Sequence, residues 1–159
     1  MYRVRQATAK DLDVLVAFTT REATEAEAQD LHVATLRRGI LAGLENSSIA
    51  RYWVLVETEE NHVQQRSEKM VVGSASVVRE WSDWKAGYYW WIQSMFLQPS
   101  HRGRGLLNLM IEEIRQVGRH EGALELRLYV HQDNLRAQRA YAKVGFQDSP
   151  YQIMSIKPV

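Results

Sequence analysis

The sequence predicts an α/β domain with a mixed central sheet flanked by helices, and three observations carry that reading. Alternating strand patterns and amphipathic helices follow one another in the order βααββ, βαβ, αββ along the chain. A strand, a basic glycine turn and a helix succeed one another between Gln93 and Glu112, in the stretch QSMFLQPSHRGRGLLNLMIE. The strand beyond that helix must then pair parallel to the strand before it, through a right-handed crossover.

The elements are justified in turn. Tyr2 to Ala7 alternates about Val4 and reads as the first strand. Thr8 is placed to cap a helix whose apolar series is Leu12, Leu15 and Val16. The segment from Arg21 to Asp30 carries Glu22, Glu25, Glu27 and Asp30; it reads either as a solvated helical face or as an entrance lined for a cationic amine. A second helix from about Leu31 sets Leu36, Ile40, Leu41 and Leu44 at helical spacing and ends at Asn46-Ser47-Ser48. Arg51 to Glu57 alternates through Tyr52, Val54 and Val56 as a strand. Thr58 to Lys69 is polar and aperiodic, and an exposed hairpin loop is expected there. Met70 to Val78 returns as a strand in which Gly73 marks a bulge or a close backbone contact. Glu80 to Gly87 turns the chain into the strand from Tyr88 to Leu97. From Leu107 a helix places Met110, Ile111, Ile114 and Val117 on its apolar face and ends at Gly122. Leu124 to Val130 alternates as a strand, Asn134 opens a helix with Ala137, Ala140, Tyr141 and Val144 on one face, and Pro150 precedes a final strand, Tyr151 to Lys157.

With 159 residues and ordinary apolar and charged fractions, the chain fits one globular domain spanning residues 1–159. A formal net charge of +1 argues against nucleic-acid or membrane-surface partners, which usually call for a marked basic excess. Cysteine is absent, which removes disulfides, thiolate nucleophiles and cysteine zinc sites and suits a cytoplasmic protein. No apolar run approaches the roughly eighteen residues of a membrane span, and Met-Tyr-Arg-Val-Arg lacks a signal-peptide core. The five histidines are scattered with no pair at ligand spacing, so no metal site is expected; His101 reads as exposed.

The turn Arg102-Gly103-Arg104-Gly105 has the chemistry of an anion site. First-turn N–H groups lack intrahelical acceptors and the helix dipole adds positive potential, so Leu106, Leu107 and Asn108 would present donors to a phosphate. Gly103 and Gly105 let the backbone approach, and Arg102 and Arg104 supply charge. It is not a nucleotide P-loop, because no Gly-Lys-Ser/Thr follows.

These residues resemble the cofactor-binding motif of the GNAT superfamily of acetyl-CoA-dependent N-acetyltransferases: Arg or Gln, two residues, Gly, one residue, then Gly or Ala. Arg102 and Gly105 match; Leu107 at the last place departs from the pattern. A second signature of that superfamily is similar to Asn134, Ala137, Tyr141 and Gly145-Phe146. The resemblance covers nearly the whole chain, weakly before Met70 and specifically after Trp91. It implies the GNAT acyl-CoA N-acyltransferase fold, with the strands ending at Leu97 and Val130 splayed to admit acetyl-CoA as acetyl donor. It further implies that the turn holds the pyrophosphate, that Met95, Phe96 and Leu97 offer backbone groups to the pantetheine arm, that the N–H near Met95 polarises the thioester carbonyl, and that Tyr141 protonates the leaving thiolate. Asn134 lies near the cofactor in the family and is equally a preferred N-cap.

On the acceptor side, Trp81 and Trp84 either cap the core under their loop or wall the amine site. Gln93 falls where related polyamine acetyltransferases often carry a Glu, and a neutral amide takes no proton at useful pH. The base is then another residue, a water chain or nothing; Glu80, Asp83 and Glu125 are nearby in sequence. The function expected is transfer of acetyl from acetyl-CoA to a primary amine, of a small molecule or, alternatively, of a protein lysine or N-terminus. A catalytically silent acyl-CoA-binding module is the rival. A homodimer is compatible with the exposed edge of a terminal strand.

Overall fold

A computed structural model of the chain describes residues 1–60 and 66–156. Five strands form one sheet in the order β1-β2-β3-β4-β5: β1 Tyr2–Gln6, β2 Arg51–Glu60, β3 Arg66–Ser82, β4 Gly87–Leu97 and β5 Glu125–Leu128. The first four run antiparallel to their neighbours, whereas β5 pairs parallel to β4 after the chain crosses over through helix α3, Leu106–His120. Helices α1 (Leu12–Glu27) and α2 (Val33–Glu45) lie between β1 and β2 in the chain, and α4 (Leu135–Lys143) follows β5. This is the mixed sheet flanked by helices that the sequence predicts.

The sheet is covered on both faces. Leu12, Leu15, Val16 and Ile40 of α1 and α2 pack on Val54 and Val56. Leu106, Met110, Ile111 and Ile114 of α3 pack on Trp53, Leu55, Trp90 and Ile92. Trp53, Val54, Leu55 and Val56 are all fully buried, so β2 is apolar on successive residues, as a strand covered on both sides must be. Each such side chain contributes about 1.5–3 kcal/mol through burial.

Two irregularities in β3 and β4 shape the site. The β3–β4 register passes from Ser76 opposite Ser94 to Val77 opposite Ile92, which leaves Gln93 as the extra residue of a bulge. β5 pairs with β4 only from Tyr89 to Ile92, so the half of β4 beyond the bulge has β3 on one side and no strand on the other among the described residues. Gly73 answers both readings given to it. A Cβ there would come within 2.6 Å of Leu97 and 2.9 Å of the Phe96 carbonyl, and a register shift lies beside it.

The acidic run after Arg21 forms the last turns of α1, which continues to Glu27, in keeping with a helical face. Two sequence expectations are corrected. The polar stretch Thr58–Lys69 is mostly ladder: Thr58, Glu59 and Glu60 pair with Glu68, Ser67 and Arg66, because backbone pairing does not require apolar side chains; positions 61–65 fall outside the described residues. The final strand Tyr151 to Lys157 is absent over residues 151–156, where Tyr151, Ile153, Met154 and Ile156 are exposed. Adjacent Ile153 and Met154 break the two-residue period, and no ladder partner is present there among the described residues. Lys157 lies outside the described residues.

Candidate active site

Glycine conformation shapes the start of α3. Gly103 and Gly105 have φ of 77° and 75°, a left-handed backbone that disfavours any residue with a Cβ, while a Cβ at either would meet nothing within 4 Å. Conformation rather than crowding therefore demands glycine, and the space over the turn stays open. Gly105 precedes the helix, so the N–H groups of Leu106, Leu107 and Asn108 occupy its first turn at the positive end of the dipole. Leu106 is buried in the core and Leu107 packs against it, so the larger residue at the motif's last place is absorbed by packing.

The arginines of the turn bond back to the fold, Arg102 half-buried and Arg104 exposed. Arg102 donates from Nε to the Leu97 carbonyl at 2.8 Å, pairs through Nη2 with Glu25 at 2.6 Å and lies over the Phe96 ring at 5.5 Å. Arg104 donates to the Tyr2 hydroxyl at 3.3 Å. They tie the turn to β4, α1 and β1, with Arg104 still exposed beside the first-turn N–H groups of α3. His101, expected exposed, is buried: its Nδ1 shares a hydrogen bond with Ser100 Oγ at 2.9 Å and its ring meets Tyr2 edge-on at 6.0 Å.

The outer edge of β4 beyond the bulge carries alternating donors and acceptors, and side chains occupy them. The Met95 N–H donates to Glu22 Oε1 at 2.8 Å, and the Leu97 carbonyl accepts from Arg102. Phe96 points the opposite way to its neighbours and is buried against Phe18 of α1 at 4.8 Å between ring centroids. The C-terminal half of α1 thus lies along the groups that the sequence assigns to a pantetheine arm.

Tyr141, on α4, is half-buried and meets Phe146 edge-on at 5.7 Å. Burial, and after it the charge of Glu22, pushes its phenol up to about 12, so at neutral pH the proton stays on oxygen and is available to donate. Asn134 Oδ1 accepts the Ala137 N–H at 3.1 Å and is the N-cap of α4. Between the end of α1 and the β5–α4 turn lies a cleft of about 390 Å³, with Thr24, Glu25 and Ala28 on one wall and His131, Asp133 and Asn134 on the other. Another cavity, about 280 Å³, sits among Gly43, Arg51, Tyr52 and Glu121 and shares no residue with this constellation.

The structure does not bring all the acceptor-side candidates together. Gln93 is exposed in the bulge, two residues from Met95. Trp81 and Trp84 are exposed at the β3–β4 hairpin end; Trp81 stands opposite Tyr88, about 17 Å of strand before Gln93. Nearer the bulge, Trp91 stacks on Tyr129 at 4.4 Å and 16°, its indole N–H donates to Glu80, and Arg127 lies 3.4 Å from the Tyr89 ring centre. The sequence reading passed over Trp91 and Tyr129, although both lie on strands that it had drawn. The carboxylates adjacent in sequence are engaged elsewhere, Asp83 with the Trp84 N–H and Glu125 with Arg127 Nε. Glu22, which sequence reasoning left within an acidic helical face, is the carboxylate bonded to the Met95 N–H. Among the described residues no cluster of His, Asp or Glu is arranged to hold a metal.

An edge of β4 that no strand pairs among the described residues, a glycine-started helix after it and a half-buried tyrosine on α4 suit an acyl-group transferase. The chain belongs to the acetyltransferase (GNAT) family, whose sequence model matches residues 15–146. It is similar to thialysine N-epsilon-acetyltransferase of Bos taurus, 32% identical over 78 residues that make up 49% of this chain and 45% of the relative, so it spans under half of that protein. A crystal structure of a possible acetyltransferase from Clostridium difficile 630 superposes with a TM-score of 0.84 at 26% identity, covering 100% of this chain and 99% of the other. A predicted acetyltransferase from Clostridium acetobutylicum, solved with acetyl-CoA, shares the fold with a TM-score of 0.75 at 21% identity, over 98% of this chain and 96% of that one.

Proposed function

We propose that this chain transfers the acetyl group of acetyl-CoA to a primary amine of a small molecule. The observation that carries the reading is that two groups meet the same side chain: the Met95 N–H of β4 donates to the Glu22 carboxylate, and the Tyr141 phenol of α4, raised first by burial, also feels the Glu22 charge. The residues fit the cofactor. The turn is open above Gly103 and Gly105, and the edge of β4 carries backbone groups at Met95 and Leu97 that a ligand can take once Glu22 and Arg102 give way.

In this reading the N–H groups of Leu106, Leu107 and Asn108 hold the pyrophosphate, the Leu97 carbonyl pairs with the arm once Arg102 gives way, and the Met95 N–H is kept for the thioester. Acetyl-CoA, when bound, supplies an acyl carbon joined to a sulfur leaving group. The Met95 N–H donates to the oxygen on which negative charge develops, and Tyr141 gives its proton to the departing sulfur. The bovine relative, named for acetylating thialysine, supports a small amine as acceptor.

The test is twofold. Acetyl-CoA should raise the melting temperature by mass action, and a panel of small primary amines should release CoA thiol from it. Neither effect at millimolar ligand would sink the proposal, and a melting shift without turnover of any amine would leave a silent acyl-CoA-binding module.

A further inference from the structure

We propose that Glu22 is the acid–base group for the acceptor: its carboxylate holds the Met95 N–H until an acyl oxygen takes that place, and then removes a proton from the incoming ammonium. The inference rests on the acetyltransferase reading above and supplies the residue that reading lacks. Gln93 is an amide, and Glu80, Asp83 and Glu125 accept from Trp91, the Trp84 N–H and Arg127. Glu22 differs in its place. Its Oε1 lies 2.8 Å from the Met95 nitrogen, the position that a polarised carbonyl oxygen would claim, and the reacting carbon would stand only about 1.2 Å beyond that oxygen.

The carboxylate is presented by a braced element. One turn before it, Phe18 packs on Phe96 at 4.8 Å, and the adjacent Arg21 lies over the same ring at 5.1 Å. Side-chain torsions alone can therefore move Glu22 off the N–H while leaving it beside the reacting centre. It then exchanges a neutral peptide donor for an ammonium, and the charge-assisted bond is the stronger of the two. Among the described residues, the charged and titratable groups about it include Arg21 and Glu25 on its own helix, Arg102 from the turn and Tyr141 from α4, with His131 and Asp133 on the far wall of the neighbouring cleft.

The proton count closes. Glu22 takes one proton from the ammonium; the neutral nitrogen bonds to the acyl carbon, the carbon–sulfur bond breaks, and the sulfur takes the Tyr141 proton. The second proton lost by nitrogen restores Tyr141, and Glu22 releases its own to solvent, so each turnover yields one amide, one thiol and one free proton. Burial is the main cause that holds the Tyr141 phenol up; uptake of a proton by Glu22 removes the lesser cause, its charge, which moves Tyr141 towards being a better donor as the sulfur needs it.

Glu22→Gln tests this, because its amide oxygen still accepts the Met95 N–H but takes no proton. Acetyl-CoA affinity by calorimetry should stay within about threefold of wild type, within the loss that a uniform-binding role would exceed. In cofactor-free protein carrying 13C-labelled tyrosine, the Tyr141 resonance should titrate at lower pH in the variant. With Nα-blocked lysine, whose amine has a pKa of about 10.4, wild-type kcat/KM should be level across roughly pH 7 to 9, whereas the variant should fall about 10²–10³-fold at pH 7 and recover about tenfold per pH unit. Glycinamide, an α-amine of pKa about 8, should lose less, and Glu22→Asp should lie between. An unchanged pH profile in Glu22→Gln or a tenfold loss of acetyl-CoA affinity would each overturn the proposal, whereas an unmoved Tyr141 titration would remove only the coupling between Glu22 and the phenol. An active wild type with an unaltered variant removes this inference alone, whereas a wild type inactive on every amine removes the acetyltransferase reading as well.

Discussion

The Glu22 carboxylate accepts the main-chain N–H of Met95 at 2.8 Å across 73 residues of sequence, and so fastens the end of α1 to the unpaired edge of β4. A strand edge leaves donors and acceptors without partners, and burying them unmet costs about as much as a lost hydrogen bond. Here Glu22 meets the N–H and Arg102 meets the Leu97 carbonyl. Those two groups are thereby satisfied before any ligand arrives, and a ligand that takes either one must displace the side chain that holds it.

The glycine turn gives a prediction that separates strain from charge. Gly105→Ala should cost about 1–2 kcal/mol, because its φ of 75° is left-handed and nothing crowds the new Cβ. In a domain of this length that lowers Tm by a few degrees, roughly 2–4 °C per kcal/mol, with acetyl-CoA affinity nearly intact. Gly105→Glu should show the same loss and also abolish the acetyl-CoA melting shift, since it sets a negative charge at the positive end of α3. An unchanged affinity in the Glu variant would take the turn out of the cofactor site.

Tyr141→Phe should lower turnover about 10²–10⁴-fold while leaving acetyl-CoA affinity close to wild type. Full activity would remove Tyr141 from the mechanism. The same variant carries a stability signature. The folded phenol titrates at about 12 against an ordinary 10.0, so as pH rises from 10 towards 12 the unfolded chain releases its proton first and the fold loses stability. Below pH 10 this residue contributes no slope. Denaturation midpoints at pH 9 and pH 11 should therefore differ less in Tyr141→Phe than in wild type.

Much of this arrangement is legible in the chain because it depends on local rules. The alternation through Tyr52, Val54 and Val56 marks β2, the glycines at 103 and 105 mark a turn that no other residue adopts cheaply, and the helix from Leu107 keeps one apolar face. What escaped reading is set by distant partners. Glu22 looks like any acid on a solvated helix until β4 is folded beneath it, and His101 reads as exposed until Tyr2 covers it. The ladder from Thr58 to Glu60 is made by backbone groups that every sequence possesses. Trp81 and Trp84 drew attention as tryptophans on a connection, yet the hairpin register sets Trp91, not these, beside the bulge.

Asp11 is the joint that aims α1. Arg5 holds its carboxylate at 2.9 and 3.0 Å and the Thr8 N–H donates to it at 2.7 Å. Burial alone would raise its pKa, but the bonds from Arg5 and Thr8 outweigh that and hold it below the ordinary 3.8. A lowered carboxyl contributes stability above its ordinary pKa and loses it as pH falls through the folded value. Asp11→Ala should cost about 2–3 kcal/mol near pH 7, and the gap to wild type should shrink progressively in acid below pH 4. A difference that stays constant down to pH 2, measured by urea denaturation, would assign the effect to packing instead of charge.

Gln93 supplies the remaining prediction, because the bulge places it two residues, about 7 Å of strand, from Met95 with its side chain exposed. If Glu22 removes the acceptor proton, a carboxylate introduced at this point is redundant in the wild type. It becomes useful only when Glu22 is disabled. Gln93→Glu alone should then change kcat/KM for a lysine-like amine by less than about threefold, and a second carboxylate can even hinder, since two anions near one ammonium raise each other's proton affinity. In the Glu22→Gln background the same change should restore at least about tenfold at neutral pH and flatten the rise of rate with pH, while Gln93→Ala should restore nothing. Wild type, Gln93→Glu, Glu22→Gln and the double variant form a double-mutant cycle whose interaction energy should differ from the zero of simple additivity, the second change rescuing the first. Equal gains from Gln93→Glu in both backgrounds would mean that the wild type works without a base, taking free amine from solution, and that Glu22 serves only to hold α1 against the strand.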